Sequence, residues 1–269
     1  MHYDSVKNML GKVFNRNTLL RKCFYRMLDL LLLRAWHIKK ELRRLKKILP
    51  ANSCVLDAGT GFGQYTYYMS KIARNWQIKA VDMKNEQVDD CNRFFAKVGK
   101  KNRIVFETAD LTTFCEPEKY HLAIAIDVME HIEDDRAVFR NIYASLKPGG
   151  FLLISTPSDK GGSDADDEHG SFIDEHVRDG YNADEISDKL KDAGFSKIDV
   201  QYSYGHPGHI SWLLSMKYPM LMLSLSKLFF IILPFYYLLT FPICMILNWR
   251  DISIIHKTGT GLKVLSYKN

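Results

Sequence analysis

The chain has 269 residues, of which 46% are apolar, so it can bury a core for one domain with an attached segment or for two small domains. Its charge is uneven, because residues 1–50 carry a net charge of +10 and the remainder carries −4. The five cysteines form no CxxC pair and no Cys/His metal spacing, which excludes a disulfide framework and favours a reduced, cytosolic setting.

Residues 1–50 are predicted to form a basic helical region. Apolar side chains recur every three to four residues over 18–49, which predicts one amphipathic helix or two, ending before Pro50. The basic face would suit the surface of an anionic membrane. It would equally suit the solvated face of a helix that packs on the core. Binding of nucleic acid is not predicted, because no basic groove with interleaved aromatic residues is visible.

The stretch from Ser53 to Gln64 combines a buried strand, a glycine turn and the start of a helix. Gly59, Gly61 and Gly63 lack the Cβ atom that would keep a ligand away from the backbone. A dinucleotide fingerprint that starts at Gly59 would need glycine at position 64, where the chain has glutamine. The sequence therefore predicts a nucleotide-type pocket, but not one for a dinucleotide.

Beyond this turn, strand-like and helical segments alternate. Strands are predicted over 53–58, 77–81, 103–108, 121–126, 151–155 and 197–204, with helices over 64–74, 85–98, 134–146 and 184–193. This alternation predicts parallel strands with helices on both faces, and a ligand beyond the carboxyl ends of the strands. Four acids, Asp57, Asp82, Asp110 and Asp127, lie at or just after four of these ends. One such acid is ordinary turn chemistry, but four in phase indicate a shared site.

The pattern Asp57-x-Gly59-x-Gly61-x-Gly63 resembles the first motif of the class I S-adenosylmethionine-dependent methyltransferases, with the small quinone- and lipid-modifying members most similar. The resemblance implies an α/β fold with a Rossmann-like sheet of parallel strands and an antiparallel last strand. It implies that 147–151 is the turn into the fifth strand and that 261–268 is the last strand. The methyltransferase domain would then comprise 51–205 plus 260–269.

The resemblance also implies S-adenosylmethionine as the cofactor, whose positive charge and hydrogen-bond donors suit carboxylates. Asp82 would accept the ribose hydroxyls, Asp110 would meet the adenine amino group, and Asp127 would lie beside the methionine part. The predicted cofactor-binding residues are Asp57, Gly59, Thr60, Gly61, Gly63, Asp82, Met83, Asp110, Leu111 and Asp127. No metal ion is predicted, because the cofactor uses these aspartates.

Methyl transfer requires alignment of the acceptor and removal of its proton. His131, four residues after Asp127, is the first candidate base; alternatively Glu130 and His131 together cap or brace the turn after the fourth strand. The long loop after the fifth strand supplies His176 as a second catalytic candidate. Arg178 and Tyr181, on the same loop, are the predicted substrate-binding residues.

An apolar insert, 206–259, separates the sixth strand from the last. Within it, Leu228–Trp249 is a run of 22 residues without a charge, about 33 Å long as a helix. Because the last strand must return to the sheet, we expect either an even number of traverses or a re-entrant hairpin, made of two apolar segments that leave and re-enter a membrane on one side. The alternative is a helical subdomain or a dimer interface in a soluble oligomer.

The sequence thus predicts methyl transfer from S-adenosylmethionine to a hydroxyl of a lipophilic or membrane-borne acceptor, a quinol, phenol or lipid, on the cytoplasmic side of a membrane. Two alternatives stay open. The first is a methyltransferase for a soluble sugar or natural product, with the insert as its dimer interface. The second is a non-catalytic scaffold that binds the cofactor at the membrane.

Overall fold

The computed structural model describes residues 17–161, 177–226 and 228–269. Seven strands form one sheet: β1 (Cys54–Ala58), β2 (Gln77–Asp82), β3 (Ile104–Thr108), β4 (Tyr120–Ile126), β5 (Leu146–Pro157), β6 (Lys197–Ser203) and β7 (Gly261–Tyr267). The helices are α1 (Thr18–Leu31), α2 (Leu33–Ile48), α3 (Gln64–Ile72), α4 (Asn85–Lys97), α5 (Asp135–Ser145), α6 (Ala183–Asp192), α7 (His206–Trp212), α8 (Tyr218–Leu225) and α9 (Phe229–Ser253). A π-helical segment, Leu213–Lys217, joins α7 to α8.

The strands run in the order β3-β2-β1-β4-β5-β7-β6. β1 pairs in parallel with β2 and β4, and β4 pairs in parallel with β5. β7 is antiparallel to both β5 and β6, between which it lies. Two apolar clusters fill the space between the sheet and the helices on its two faces. The predicted fold class, a parallel sheet with an antiparallel last strand and a helical insert, is therefore confirmed.

The N-terminal region forms two helices that pack on the core. Asn17 caps α1 by accepting a hydrogen bond from the Leu19 amide at 2.8 Å, and the chain becomes extended at Leu32 before α2 begins. The inward side of α2 is fully buried at Ile38 and Leu42. The apolar periodicity thus reflects packing on the core of the sheet, and the basic side chains that remain exposed lie on the outer faces.

The apolar insert is a helical hairpin, here defined as His206–Leu225 and Phe229–Ser253. Its two arms are antiparallel, because the Tyr236 hydroxyl donates to the Leu214 carbonyl at 2.8 Å, whereas Cys244 lies beside Ser211. Gly261, at the start of β7, pairs with Ser203, at the end of β6. The hairpin therefore leaves the sheet at the edge formed by the carboxyl ends of the parallel strands.

Candidate functional site

The glycine turn after β1 has a fixed side and an open side. Gly59 has a φ of +75°, and a Cβ there would lie 2.3 Å from Val128 Cγ2, so only glycine fits. Gly61 has a φ of +52°, yet the nearest atom to its Cβ position is Gln87 Oε1 at 3.9 Å. The turn is therefore packed against the chain after β4 on one side, and it leaves room for a ligand at Gly61.

Helix α1 holds this turn from outside. The Phe62 carbonyl accepts hydrogen bonds from Arg21 Nη2, at 2.9 Å, and from the Tyr25 hydroxyl. The Arg21 guanidinium also lies 4.7 Å from the centre of the Phe94 ring. One of the predicted basic residues is thus buried and is used to fix the glycine turn. The composition of the N-terminal region gave no signal for this role.

Asp82, at the end of β2, supports the glycine turn directly. Its Oδ2 accepts from the Gly61 amide at 2.8 Å, and its Oδ1 accepts from the Lys84 amide at 3.0 Å. The carboxylate is half-buried, next to the open side of the turn. Its place agrees with the predicted contact to a ribose diol, which stays a prediction.

Asp57 is directed into the protein. Its side chain accepts hydrogen bonds from Thr60 Oγ1 at 3.0 Å and from Thr66 Oγ1, and the residue is only 2% exposed. Burial raises the pKa of Asp57 to about 6, against the lowering effect of the two hydroxyl donors. Asp57 and Thr60 therefore brace the turn from within, and their direct contact with a cofactor stays a prediction.

Asp127 follows β4 in a left-handed conformation, with a φ of +52°. Its amide donates to the Ser155 carbonyl at 2.8 Å, and its carboxylate forms an ion pair with Arg34 of α2. Arg34 also interacts with Tyr65, in the first turn of α3. Burial raises the pKa of Tyr65, and the positive charge of Arg34 partly opposes this rise. Arg34 is a site residue that sequence reasoning missed, because nothing in its local pattern distinguishes it from the other basic residues of α2.

The predicted adenine-contacting residues lie after β2 and β3. Asp110 is exposed, and its Oδ1 accepts from the Thr112 amide and hydroxyl, both at 2.8 Å. Leu111 is buried, and its carbonyl accepts from Asn141 Nδ2 at 3.0 Å. Met83 is 66% exposed. These positions line the same sheet edge as Asp82, and their contacts with adenine stay predictions.

The turn after β4, Met129–His131, places an acid and a base side by side. His131 is half-buried. Glu130 is buried, and its Oε2 accepts from Thr156 Oγ1 at 3.1 Å. Burial raises the pKa of Glu130, while His131 and Arg34 lower it. The sequence predicts Glu130 only as part of a brace for this turn, since burial of an acid in a short turn leaves no mark in the sequence.

Arg178 and Tyr181 converge on Asp135 at the start of α5. The carboxylate pairs with Arg178, accepts from the Tyr181 hydroxyl at 2.6 Å and pairs with Lys189 at 2.7 Å. Burial alone would raise the pKa of Asp135, but these donors hold it below its ordinary value. Tyr181 is 0% exposed. The structure thus gives both residues a bracing role, and substrate contact stays a prediction.

Two further predictions concern a second catalytic residue and a metal ion. His176 lies outside the described residues, so its catalytic role remains a prediction from the sequence. Within 17–161, 177–226 and 228–269, the structure contains no group of three or more His, Cys, Asp or Glu side chains placed to hold a metal ion.

The strand order and the glycine turn define the fold of the class I methyltransferases. Residues 32–200 match the methyltransferase domain family, and this range covers more than half of the chain. The protein therefore belongs to the methyltransferase domain family. The matched range begins at residue 32, so it includes α2 and Arg34 together with the sheet.

Curated relatives resemble only part of the chain. A phosphoethanolamine N-methyltransferase of Triticum aestivum is 31% identical over 147 residues, which are 54% of this chain and 28% of the relative. A ubiquinone biosynthesis O-methyltransferase of Aliivibrio fischeri is 28% identical over 136 residues, covering 46% of this chain and 57% of the relative. The match thus spans less than a third of the wheat protein's length.

Solved structures share the fold. Phosphoethanolamine N-methyltransferase 2 of Haemonchus contortus, in complex with phosphomonomethylethanolamine and S-adenosylhomocysteine, aligns with a TM-score of 0.59 at 20% identity, over 85% of this chain and 52% of that one. A Thermotoga maritima methyltransferase aligns with a TM-score of 0.55 at 14% identity, over 97% of this chain and 100% of that one. Together with the family match over residues 32–200, these alignments identify a methyltransferase domain with this fold.

Proposed function

We propose that this protein transfers a methyl group from S-adenosylmethionine to a hydroxyl of a lipophilic acceptor, a quinol, phenol or lipid, at the cytoplasmic surface of a membrane. One observation carries the proposal: the helical hairpin leaves the sheet at the edge where the glycine turn, Asp82 and Asp127 lie. A membrane that holds the hairpin would face the cofactor pocket, so a membrane-dissolved acceptor would reach the site without crossing water.

The residues of the pocket suit this cofactor. The open side of Gly61 leaves room for a ligand against the backbone. The carboxylate of Asp82 beside it can accept hydrogen bonds from hydroxyl groups. The methionine end of the cofactor carries an ammonium and a carboxylate. Asp127 and Arg34 offer one partner for each, because their present ion pair joins the same two charge types. We propose that Asp127 takes the ammonium and Arg34 takes the carboxylate.

The cofactor supplies an already activated methyl group, so the protein must orient the acceptor and take up its proton. His131 lies four residues after Asp127, in the turn that follows β4, and it is half-buried, so its ring is partly open to solvent. We propose His131 as the base. Glu130 is held in place by Thr156 and lies close enough to His131 for their charges to interact, so it can stabilise a protonated imidazole.

Membrane attachment rests on the hairpin. In the described part of the chain, α9 is the helix that is long and apolar enough to cross a bilayer. Only 6% of its most apolar stretch is buried inside the protein. Ten large apolar side chains of α9 are exposed. Burying one in full is worth about 1.5–3 kcal/mol, so together they contribute on the order of 10 kcal/mol. Placing the charge of Lys217 at the centre of a bilayer would cost about 2.5–3.5 kcal/mol, which is less than the apolar side chains contribute.

Two measurements test the proposal. Membranes that contain the protein, incubated with S-adenosylmethionine labelled in its methyl group, should yield a labelled lipid-extract component that is absent with Asp82→Ala. Label in the water-soluble fraction alone would indicate a soluble acceptor, and cofactor binding without label would indicate the scaffold. Calorimetry should show S-adenosylmethionine binding that Asp82→Ala abolishes and that the exposed-surface control Asp188→Ala preserves. Binding of NADH instead would contradict the cofactor assignment.

Membrane attachment is tested separately by carbonate extraction. The full chain should stay in the pellet, and a variant that lacks 210–249 should be released. Release of the full chain, together with a dimer in sedimentation, would favour the soluble oligomer.

A further inference from the structure

We propose that the helical hairpin crosses the whole bilayer as a pair of antiparallel spans, so that its tip at Ser224 and Ser226 reaches the opposite surface. This inference rests on the proposed membrane attachment and goes beyond it. A hairpin that entered only the near leaflet would attach the protein equally well, but it would place the tip at the bilayer centre.

The length of the exposed apolar surface favours full crossing. Exposed apolar side chains on α9 extend from Phe230 to Trp249, which at about 1.5 Å per residue is a distance of about 28 Å. The hydrocarbon core of a bilayer is about 30 Å thick. Entry into one leaflet would leave the half of α9 nearest the domain in water, where Ile243 is 51% and Ile246 is 66% exposed. Only full crossing covers both halves.

The breadth of the same surface favours lipid over a second copy of the chain. Successive residues of a helix point about 100° apart, so the exposed large apolar side chains of α9 cover about 220° of its circumference, from Phe230 round to Ile243. A helix that packs against one partner buries a stripe of roughly half that width. Lipid contacts a helix on every side that the other arm leaves open.

The ends of the hairpin carry the residues of membrane boundaries. Trp249 is 65% exposed and is followed by Arg250, and Lys257 lies just beyond α9. Tryptophan is enriched at both interfaces of a membrane, and basic residues are enriched on its cytoplasmic side. At the other end, α8 ends at Leu225, with the exposed Ser224 just before this residue and Ser226 just after it. Lys217 lies between these ends, and its ammonium packs 5.9 Å from the centre of the Trp212 ring, which shields it partly.

Both arms start from the same side, because a buried polar cluster joins them to α2. Asp251 is fully buried and accepts from His37 Nε2 at 2.8 Å and from the Gly208 amide at 2.9 Å. His256 Nε2 lies 3.2 Å from the same carboxylate. The cluster fixes the end of α9 to the beginning of α7, so the number of crossings is even and β7 stays with its sheet.

Site-directed labelling tests the crossing. The exposed native cysteines are first removed with Cys23→Ser and Cys115→Ser, and either Ser224→Cys or Ser226→Cys is then introduced into the full chain. Spheroplasts of an expression host are treated with a membrane-impermeant maleimide, either intact or after lysis. Lys257→Cys, on the domain side of the hairpin, is the matched control.

For both tip variants, we expect the labelling of intact spheroplasts to reach at least half of the labelling after lysis. The Lys257→Cys control should be labelled at least tenfold less in intact spheroplasts than after lysis. A tip that behaves like Lys257→Cys, or one that is labelled in neither state, would overturn the inference. Labelling is scored only on carbonate-resistant protein, so a variant that fails to insert is replaced by the other one.

Methyl transfer is measured on the same membranes. Labelled tips without methyl transfer would leave the crossing intact and count against the proposed reaction. Transfer to a lipid with unlabelled tips would support the proposed reaction and count against the crossing.

Discussion

Arg34, in the first turn of α2, forms an ion pair with Asp127, which follows the end of β4. The pair joins the N-terminal helices to the centre of the sheet edge where the cofactor is proposed to bind. The backbone amide of Arg34 also donates to the Tyr204 hydroxyl at 3.0 Å, next to the base of the hairpin. Arg34 therefore stands between the pocket and the segment proposed to enter the membrane.

Replacement of Arg34 should weaken cofactor binding. A charged hydrogen bond contributes about 1.5–3 kcal/mol, so Arg34→Ala should raise the Kd for S-adenosylmethionine by about 10–100-fold in calorimetry. Arg44→Ala, on the same helix and paired with Glu41, is the control and should leave the Kd unchanged. An unchanged or tighter Kd in Arg34→Ala would mean that Arg34 only occupies Asp127 and does not bind the cofactor.

Replacement of His131 should remove the chemical step and leave the pocket intact. We expect His131→Ala to lower kcat by at least about 100-fold, with the cofactor Kd within a few-fold of wild type. Glu130→Gln should mainly lower the Tm, because Glu130 is buried and bonded to Thr156. If kcat collapses in Glu130→Gln and survives in His131→Ala, the base is Glu130.

Asp57 should give the protein a recognisable pH dependence. Its pKa is raised from 3.8 to about 6, so between these values the folded protein holds a proton that the unfolded chain has released. Stability therefore falls as the pH rises through this window and is constant above it. The loss amounts to about 3 kcal/mol, from about 1.4 kcal/mol per pH unit.

Urea denaturation between pH 3.5 and 7 measures this loss. Asp57→Asn, which cannot ionise, should show a smaller decline than wild type by about 3 kcal/mol. Parallel curves for the two proteins would show that Asp57 keeps an ordinary pKa in the fold.

Replacement of Tyr181 by phenylalanine tests whether this residue has a structural role or binds the substrate. Loss of its hydroxyl removes a hydrogen bond to the Asp135 carboxylate, so Tyr181→Phe should lower the free energy of unfolding by about 1.5–3 kcal/mol. The KM for the acceptor should stay unchanged, because Tyr181 is fully buried. A higher KM at unchanged stability would return Tyr181 to the substrate site, as the sequence predicts.

The sheet was accessible to sequence reasoning because its signals are local. Apolar runs of strand length, glycines at fixed spacing and acids such as Asp82 and Asp127 repeat the order of a known fold, so the elements, and the edge at which these acids lie, could be placed in advance. The hairpin followed from the same logic, since β7 must return to the sheet beside β6.

The contacts between elements that are distant in the chain could not be predicted from the sequence. Arg34 looks like any basic residue of an amphipathic helix until α2 is packed against the end of β4. The same holds for Asp135, which reads as a helix-start acid but collects Arg178, Tyr181 and Lys189 in the folded chain. Burial of a charge depends on the partners that tertiary structure brings to it, and these lie far away in the sequence.

The position of β7 also sets an order of events during synthesis. β7 fills the gap between β5 and β6, yet it follows the hairpin in the chain. When the hairpin leaves the ribosome, β6 therefore has no strand to pair with and the sheet is still open. The proposed insertion of the hairpin therefore does not require the closed sheet, because the strand that closes the sheet comes after the hairpin in the chain. A truncated chain that ends just after Ser253, and so lacks β7, should accordingly be membrane-bound but unable to retain the cofactor.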